Sequence, residues 1–396
     1  MKKTWVSIPD VLFFQEGPGV RNTQYTIDGV KLLNVANLVD GKIDLSTSDR
    51  YISEKEAYGK YKHFLCDAGD FVIASSGIKV EYVDKKMGFV DESMLPLCMN
   101  TSTIRFKVLD EKQLRIRYFM YYLKSEHFKQ QLFKQITGSA QLNYGPSHLK
   151  KMIMPLIDLN DQDEIVSYMD KVQNIIEKRQ QELYRLDDLI KARFVEMFGD
   201  PVSNSYGLPE ATLPELGEFG RGISKHRPRN DPKLLGGDYP LIQTGDVANA
   251  GLYITSYNST YSEFGLKQSK MWEKGTLCIT IAANIAKTAI LTFDACFPDS
   301  VVGFTSNEKT NNIFIHYWFL FFQAILESQA PESAQKNINL KILSELRAIV
   351  PEKEKQDEFV DFIHQVDKSK VVYMYILKTR KYLMYNSEYR EKVNCI

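Results

Sequence analysis

The sequence predicts an α+β protein built twice, with two similar mixed α/β domains joined by two long helices. Three observations predict this. First, one series of landmarks occurs twice. Ser139-Ala140-Gln141-Leu142-Asn143, Pro155 and Gln162-Asp163-Glu164-Ile165-Val166 are answered by Ser333-Ala334-Gln335-Lys336-Asn337, Pro351 and Gln356-Asp357-Glu358-Phe359-Val360. The differences 335 − 141 and 356 − 162 both give 194. A repeat of that length is the size of a domain plus a helix and too long for a solenoid unit. Second, each lead-in opens a long helical pattern. Third, the region before each lead-in carries strand-length apolar runs between turn clusters, in matching order.

The first domain is placed at residues 1–158. Val30–Val35, Phe71–Ala74 and Thr103–Val108 read as strands set off by turn residues such as Asp40 and Gly41. Leu114–Phe133, rich in Tyr, Phe and Leu at helical spacing, reads as one helix. Its aromatic run Tyr118–Tyr122 suits a core face or a base-stacking platform, and core packing is the expected reading.

A central helix follows at 159–199, with its pattern running from about Asp161 to Phe198. Ile165, Met169, Val172, Ile176, Leu183, Leu186, Ile190 and Met197 step by fours and threes, interrupted by Arg179 and Arg193. That is a narrow heptad seam rather than the broad stripe of a surface helix. About 35 residues at 1.5 Å each make a rod on the order of 50 Å, which needs a partner along its length. Its own repeat supplies one. The distal helix, 351–396, keeps the seam as Phe359, Ile363, Val366, Tyr373, Leu377 and Met384, with Lys370 and Arg380 as its polar breaks. The alternative is that each helix packs separately on its neighbouring domain. Gly199-Asp200-Pro201 stops the first helix, since glycine accepts positive φ and proline cannot continue the helix.

The second domain is placed at 200–350. Tyr239–Gln243 answers Val30–Asn34, Lys274–Ile279 answers Ala68–Ile73, and Ile315–Trp318 answers Ile116–Phe119. A shared framework with divergent loops suggests one fold reading two different things.

Composition narrows the class. With 396 residues, 44% hydrophobic and 25% charged, the chain can build two cores and is not expected to be disordered. There is no run of about 18 apolar residues, and five scattered cysteines without a CxxC argue against a disulfide framework or zinc site. A cytoplasmic location is expected. Fifty basic and fifty acidic residues cancel, so any attraction to nucleic acid must be local. Phosphate-loop, HExxH and GxSxG motifs are missing, as is the Asn/Asp-Pro-Pro-aromatic run of an adenine methyltransferase. Asp163-Glu164 and Asp357-Glu358 lie in first helical turns, where the helix dipole favours them without catalysis.

The local basic patches carry the functional signal. Gly220–Asn230 gathers Arg221, Lys225, His226, Arg227 and Arg229 into a Gly/Pro loop able to follow a phosphate backbone and reach base edges. Its counterpart, Gly17–Gln24, carries Arg21, Asn22 and Gln24. Either loop alone reads as a solvated turn. At equivalent places in both copies they point to DNA. Lys79, Lys85 and Lys86 in the first domain and Lys287 in the second follow equivalent strands and add candidate phosphate contacts. Gln141 and Asn143, with Gln335 and Asn337, are equally suited to reading bases or making turns.

Taken together, the chain resembles the DNA-specificity subunit of type I restriction-modification systems. The resemblance rests on Gly17–Arg21, Leu32–Leu38 with Asp40-Gly41, Gly138–Asn143, Pro155 with Gln162–Val166, and Leu186 through Phe194 and Met197–Pro201. The second copy departs from it at Lys336–Asn339 and at Tyr385–Glu388. The resemblance implies a non-catalytic protein whose two target recognition domains each read half of a split DNA site. It implies that the helices pair as an antiparallel coiled coil that spaces the domains and docks two methylation subunits, with restriction subunits in the full complex. S-adenosylmethionine, ATP and Mg would belong to those partners, with no cofactor or metal on this chain. Asn34, Asn37 and Gln243, which lie in the shared framework segments, join the candidate DNA contacts. A rod of about 50 Å exceeds one DNA turn of about 34 Å, so its ends could address successive grooves. Two other classes remain: a nuclease or methyltransferase with an unfamiliar site, and a coiled-coil scaffold whose domains bind proteins.

Overall fold

The computed structural model describes residues 3–77, 79–135, 144–282, 285–329, 338 and 340–378. One compact unit runs to Lys178. Besides a small Leu38–Val39/Lys42–Ile43 hairpin, its strands are β1 (Thr4–Ser7), β2 (Leu12–Glu16), β3 (Val30–Leu33), β4 (Tyr51–Ile52), β5 (Phe71–Ala74), β6 (Met87–Phe89), β7 (Leu97–Met99), β8 (Thr103–Val108) and β9 (Ile153–Leu156). The main antiparallel sheet has the order β2-β8-β5-β6. A second sheet runs β4-β3-β7, with β3 and β7 parallel. β1 and β9 pair separately.

All four residues of β5 are buried, which is why this strand is a continuous apolar run rather than an alternating one. Helix α1 (Ile116–Leu123) covers the sheet. Its Phe119 ring lies 5.0 Å from Phe106 and edge-on to Phe71 at 6.4 Å. Tyr118–Tyr122 are all buried, so the aromatic run is core and not a stacking platform. The single helix expected over Leu114–Phe133 is two. After α1 the chain re-enters helix as α2 (Glu126–Gln135), with the Ser125 hydroxyl accepting from the Phe128 N–H at 3.2 Å as an N-cap. The strand expected over Val30–Val35 stops at Leu33 because Asn34 opens a 3₁₀ turn.

The second compact unit is Arg179–Ile376. The 40-residue α3 (Leu159–Phe198) supplies its first element. Then come β10 (Glu210–Thr212), β11 (Gly217–Arg221), β12 (Leu235–Leu241), α4 (Thr244–Asn249), β13 (Tyr253–Ile254), β14 (Ser259–Tyr261), β15 (Met271–Trp272), β16 (Leu277–Thr280), β17 (Thr288–Leu291), β18 (Ala295–Cys296), β19 (Val301–Ser306), α5 (Asn312–Gln329), β20 (Arg347–Ile349) and α6 (Lys353–Lys378). The main sheet, β11-β19-β16-β17, repeats the order of the first unit and adds β13 in parallel at one edge. In the second sheet, β14-β12-β18-β15, β12 has one antiparallel and one parallel neighbour, as β3 does, and β15 adds a further antiparallel pairing. The β10–β20 pair answers β1–β9. The duplication read from the sequence is therefore a duplication of topology.

The copies fill their interiors differently. Sheet register makes Arg105 on β8 and Gly303 on β19 equivalent. Arg105 is buried and donates to Gln15, to the Leu65 and His63 carbonyls and to Asp70. At Gly303 the Trp272 ring takes the space: an added Cβ would lie 2.5 Å from it, and Trp272 stacks on Phe297 at 4.9 Å.

Both helix entries are clamped by the same residue. Gln162 is fully buried; its amide oxygen accepts from the Arg115 N–H at 2.8 Å, and its NH₂ donates to the Gln113 and Ile157 carbonyls. Gln356, also fully buried, accepts from the Thr310 hydroxyl at 2.9 Å and donates to the Lys309 and Pro351 carbonyls. The repeated glutamine ties the start of each helix to the globular segment before it.

The seam is used on two surfaces. Ile165 joins the core of the first unit, with Met169 packed against it. In the second unit Ile190, Phe194 and Phe198 cluster with Phe359, Ile363 and Val366, and Leu186 lies beside them. Phe198 contacts Phe359 at 5.7 Å, Arg193 lies over the Phe362 ring at 6.0 Å, and Lys370 pairs with Asp187 at 2.6 Å. As α3 numbers fall, α6 numbers rise, which defines antiparallel pairing. Val172, Ile176 and Leu183 are half-buried. The side chains of Tyr373 and Leu377, and all of Met384, lie outside the described residues. The polar breaks have partners: Arg179 pairs with Glu182 and Arg193 with Glu196. The compact units divide within α3, at Lys178/Arg179, and the seam residues on either side of that point join different cores. Gly199, at φ +75°, ends the helix as its sequence position implied.

Candidate nucleic-acid interface

In each unit one glycine fixes the loop that leaves the first strand of the main sheet. The Gly17 N–H donates to the Thr103 carbonyl at 2.8 Å, and a Cβ on Gly17 would lie 2.1 Å from the Asn100 carbonyl oxygen. The Gly222 N–H donates to the Val301 carbonyl at 2.9 Å, and a Cβ there would lie 2.3 Å from the Phe297 carbonyl oxygen. No side chain fits at either place. The two loops are therefore seated the same way on the same strand pair.

The second-unit loop is held from several sides. The Gln268 side-chain oxygen accepts from the Lys225 and His226 N–H groups at 2.6 and 3.0 Å, and the Ser269 hydroxyl donates to the Ile223 carbonyl. His226 meets Asp231 at 2.9 Å, and the Lys233 N–H and His226 together hold the Asp231 carboxyl below the usual carboxylate range. Arg227 donates to the Ser224 and His226 carbonyls. Arg221 and Lys225 project as exposed side chains. Arg229 is ion-paired with Asp299, and Arg227 reaches the same carboxylate at 3.5 Å. Such a loop is set before any ligand arrives, which lowers the ordering cost of binding.

In the first unit Arg21 and Asn22 are exposed, but Gln24 is committed: its amide donates to Glu56 at 2.7 Å and to the Tyr61 hydroxyl at 3.1 Å. Arg50, not singled out by sequence, lies 5.2 Å over the Tyr25 ring. Its cationic face beside Arg21's loop had no local motif to announce it.

Two expectations need correction. Asn37 is fully buried; its oxygen accepts from the Asn34 N–H at 2.9 Å and its NH₂ donates to the Asp44 carbonyl and the Thr47 hydroxyl. Asn34 is buried and joined to Leu32, Ser48 and Asn100. Both asparagines hold the turn that ends β3 and are not placed to read bases. Gln243 is exposed at the entry of α4, with its amide 3.4 Å from the Ser259 hydroxyl. Lys79 is exposed, and Lys287 is half-buried in the turn before β17. Gln141, Asn143, Gln335 and Asn337 lie outside the described residues.

Burial pushes the Cys66 and Cys98 thiols up to about 12, which opposes thiolate formation. Among the described residues there is no group of three or more His, Cys, Asp and Glu placed to hold a metal ion. No described helix is long and apolar enough to cross a membrane.

Two copies of one α+β domain, each presenting a glycine-anchored loop and each tied to a long helix, make this a duplicated two-domain protein. Comparison with known proteins gives the family. Residues 31–185 and 210–372 match the type I restriction modification DNA specificity domain, and the chain belongs to that family, with two copies of the domain. It is 26% identical over 186 residues to the type I restriction enzyme MjaVIII specificity subunit of Methanocaldococcus jannaschii, a match spanning 46% of this chain and 42% of that protein. A second protein of that organism, named as the putative type I restriction enzyme MjaX specificity subunit, is 20% identical over 352 residues, covering 86% and 80% of the two chains. A chain solved in work on complex assembly and conformational transition of the type I R-M system shares the fold, with a TM-score of 0.56 at 15% identity over 99% of this chain and 96% of its own.

Proposed function

We propose that this chain is the non-catalytic DNA-reading subunit of a type I restriction-modification complex, and that each unit reads one half of a split DNA site. The observation that carries this reading is the repeated seating of Gly17 and Gly222, which sets an exposed polar loop at the same place in two domains of one family. Arg21, Asn22 and Lys79 serve the first half-site. Arg221, Lys225, Arg229, Gln243 and Lys287 serve the second, with Arg227 and His226 shaping its loop. Partner subunits for methylation and restriction assemble on the helices, two of them for methylation. S-adenosylmethionine, ATP and Mg are held by those partners, in the cytoplasm.

The loop can be tested directly. In the full chain bound to its methylation subunit, replacing Arg221, Lys225, Arg227 and Arg229 by Ala should weaken duplex DNA binding and flatten its salt dependence. The log–log slope should fall by about one unit for each phosphate that the loop no longer neutralises. Equal affinity and slope for the variant and the parent would overturn this assignment of the loop and favour protein-binding domains.

A further inference from the structure

We propose that Asp299 is a built-in competitor for DNA phosphate, which neutralises part of the second-unit loop until a fitting sequence displaces it. The inference rests on the reading of that loop as a DNA contact. Asp299 sits in the turn between β18 and β19, 70 residues from Arg229 in sequence, and its carboxylate receives both Arg229 and Arg227. The same turn supplies the Phe297 and Pro298 carbonyl oxygens against which Gly222 is packed. Carboxylate and loop are therefore held together by backbone contacts that do not depend on the ion pairs.

The chemistry of the pair is that of a phosphate site already filled. A carboxylate offers two oxygens to guanidinium groups much as a phosphate does. The two arginines have unequal freedom. Arg227 also donates to the Ser224 and His226 carbonyls, which makes it a strut. Arg229 is half-exposed and is held through one end of its guanidinium fork. An ion pair this exposed is weak enough for a phosphate to replace. On arbitrary DNA, where binding comes from phosphates alone, the loop then presents Arg221 and Lys225 while Arg229 stays occupied. On a fitting site the base contacts add enough to displace Asp299 and free Arg229. Asp299 thus lowers affinity for arbitrary DNA by withholding one cation from its phosphates, while a fitting site meets the cost of displacement from its base contacts.

The test uses the full chain with its methylation subunit and a random-sequence duplex, titrated by fluorescence anisotropy from about 50 to about 200 mM salt. Asp299→Asn should bind random DNA more tightly at low salt. Its log–log salt slope should steepen by about one unit, so that affinity falls about 4-fold further across that range than for the parent. Arg229→Gln added to Asp299→Asn should remove the gain. Methylation mapped in host DNA should spread to sites degenerate in the second half-block only. Unchanged slope and affinity, or weaker binding by Asp299→Asn at unchanged melting temperature, would overturn the competitor role while leaving the DNA-reading function intact. Failure of the parent complex itself to bind DNA would overturn both.

Discussion

His316 shows how a single buried group sets a local pH limit. It is buried within α5, with its Nδ1 2.9 Å from the Thr288 hydroxyl, and its first-unit counterpart, Arg117, instead pairs with Asp170. Burial, aided by the nearby Lys370 charge, pushes its pKa down from 6.5 to about 4. Between those values the unfolded chain binds a proton that the folded chain does not, so the neutral ring's contribution is fully present above pH 6.5 and is lost as pH falls toward 4. The loss is up to about 1.4 kcal/mol per pH unit. The urea midpoint of the second unit should fall between about pH 7 and about pH 5, and His316→Leu should flatten that dependence. An equal slope in the variant would place the sensitivity elsewhere. The same scale shows where sequence reading stops. Asn34 and Asn37 look like base readers in a string of letters, but an asparagine satisfying its own turn has the same composition and spacing. Only burial tells them apart. Asp299 could not be found at all, because its partners lie far away in sequence and meet it through the fold.

Among the elements, the helix entries were the most legible, because both copies spell them alike. Gln162 and Gln356 each satisfy three backbone or side-chain partners inside the protein. Removing such an amide leaves buried carbonyls unpaired, at about 1–3 kcal/mol. Gln356→Ala should lower the stability of the second unit by that amount and speed hydrogen exchange in the first turns of α6, with Gln162→Ala doing the same at the start of α3. Exchange unchanged in those peptides would show that the glutamines do not hold the entries. The break between α1 and α2 was not legible: apolar spacing continues through Lys124 and Ser125, and the hydroxyl cap that restarts the helix competes with nothing visible in that pattern. The heptad seam reads as a pairing surface and α6 does pair along it in the second unit, yet part of the seam also enters domain cores. A seam and a core-facing stripe overlap when the partner helix and the domain share one side.

At the scale of the whole molecule, two copies of one topology carry different interiors and different loops. Arg105 against Asp70 in one and Trp272 across Gly303 in the other occupy equivalent space. The frame is thus kept while the contents change, as expected of two domains reading unlike half-sites. The most direct test is to express the chain with its methylation subunit, map adenine methylation in host DNA by single-molecule sequencing, and repeat after replacing residues 207–350 with those of a relative of different specificity. The expected result is a split motif of two short specified blocks around a fixed gap, with one block changed by the replacement and the gap retained. A stable complex that leaves no split motif, or a replacement that changes both blocks together, would contradict it.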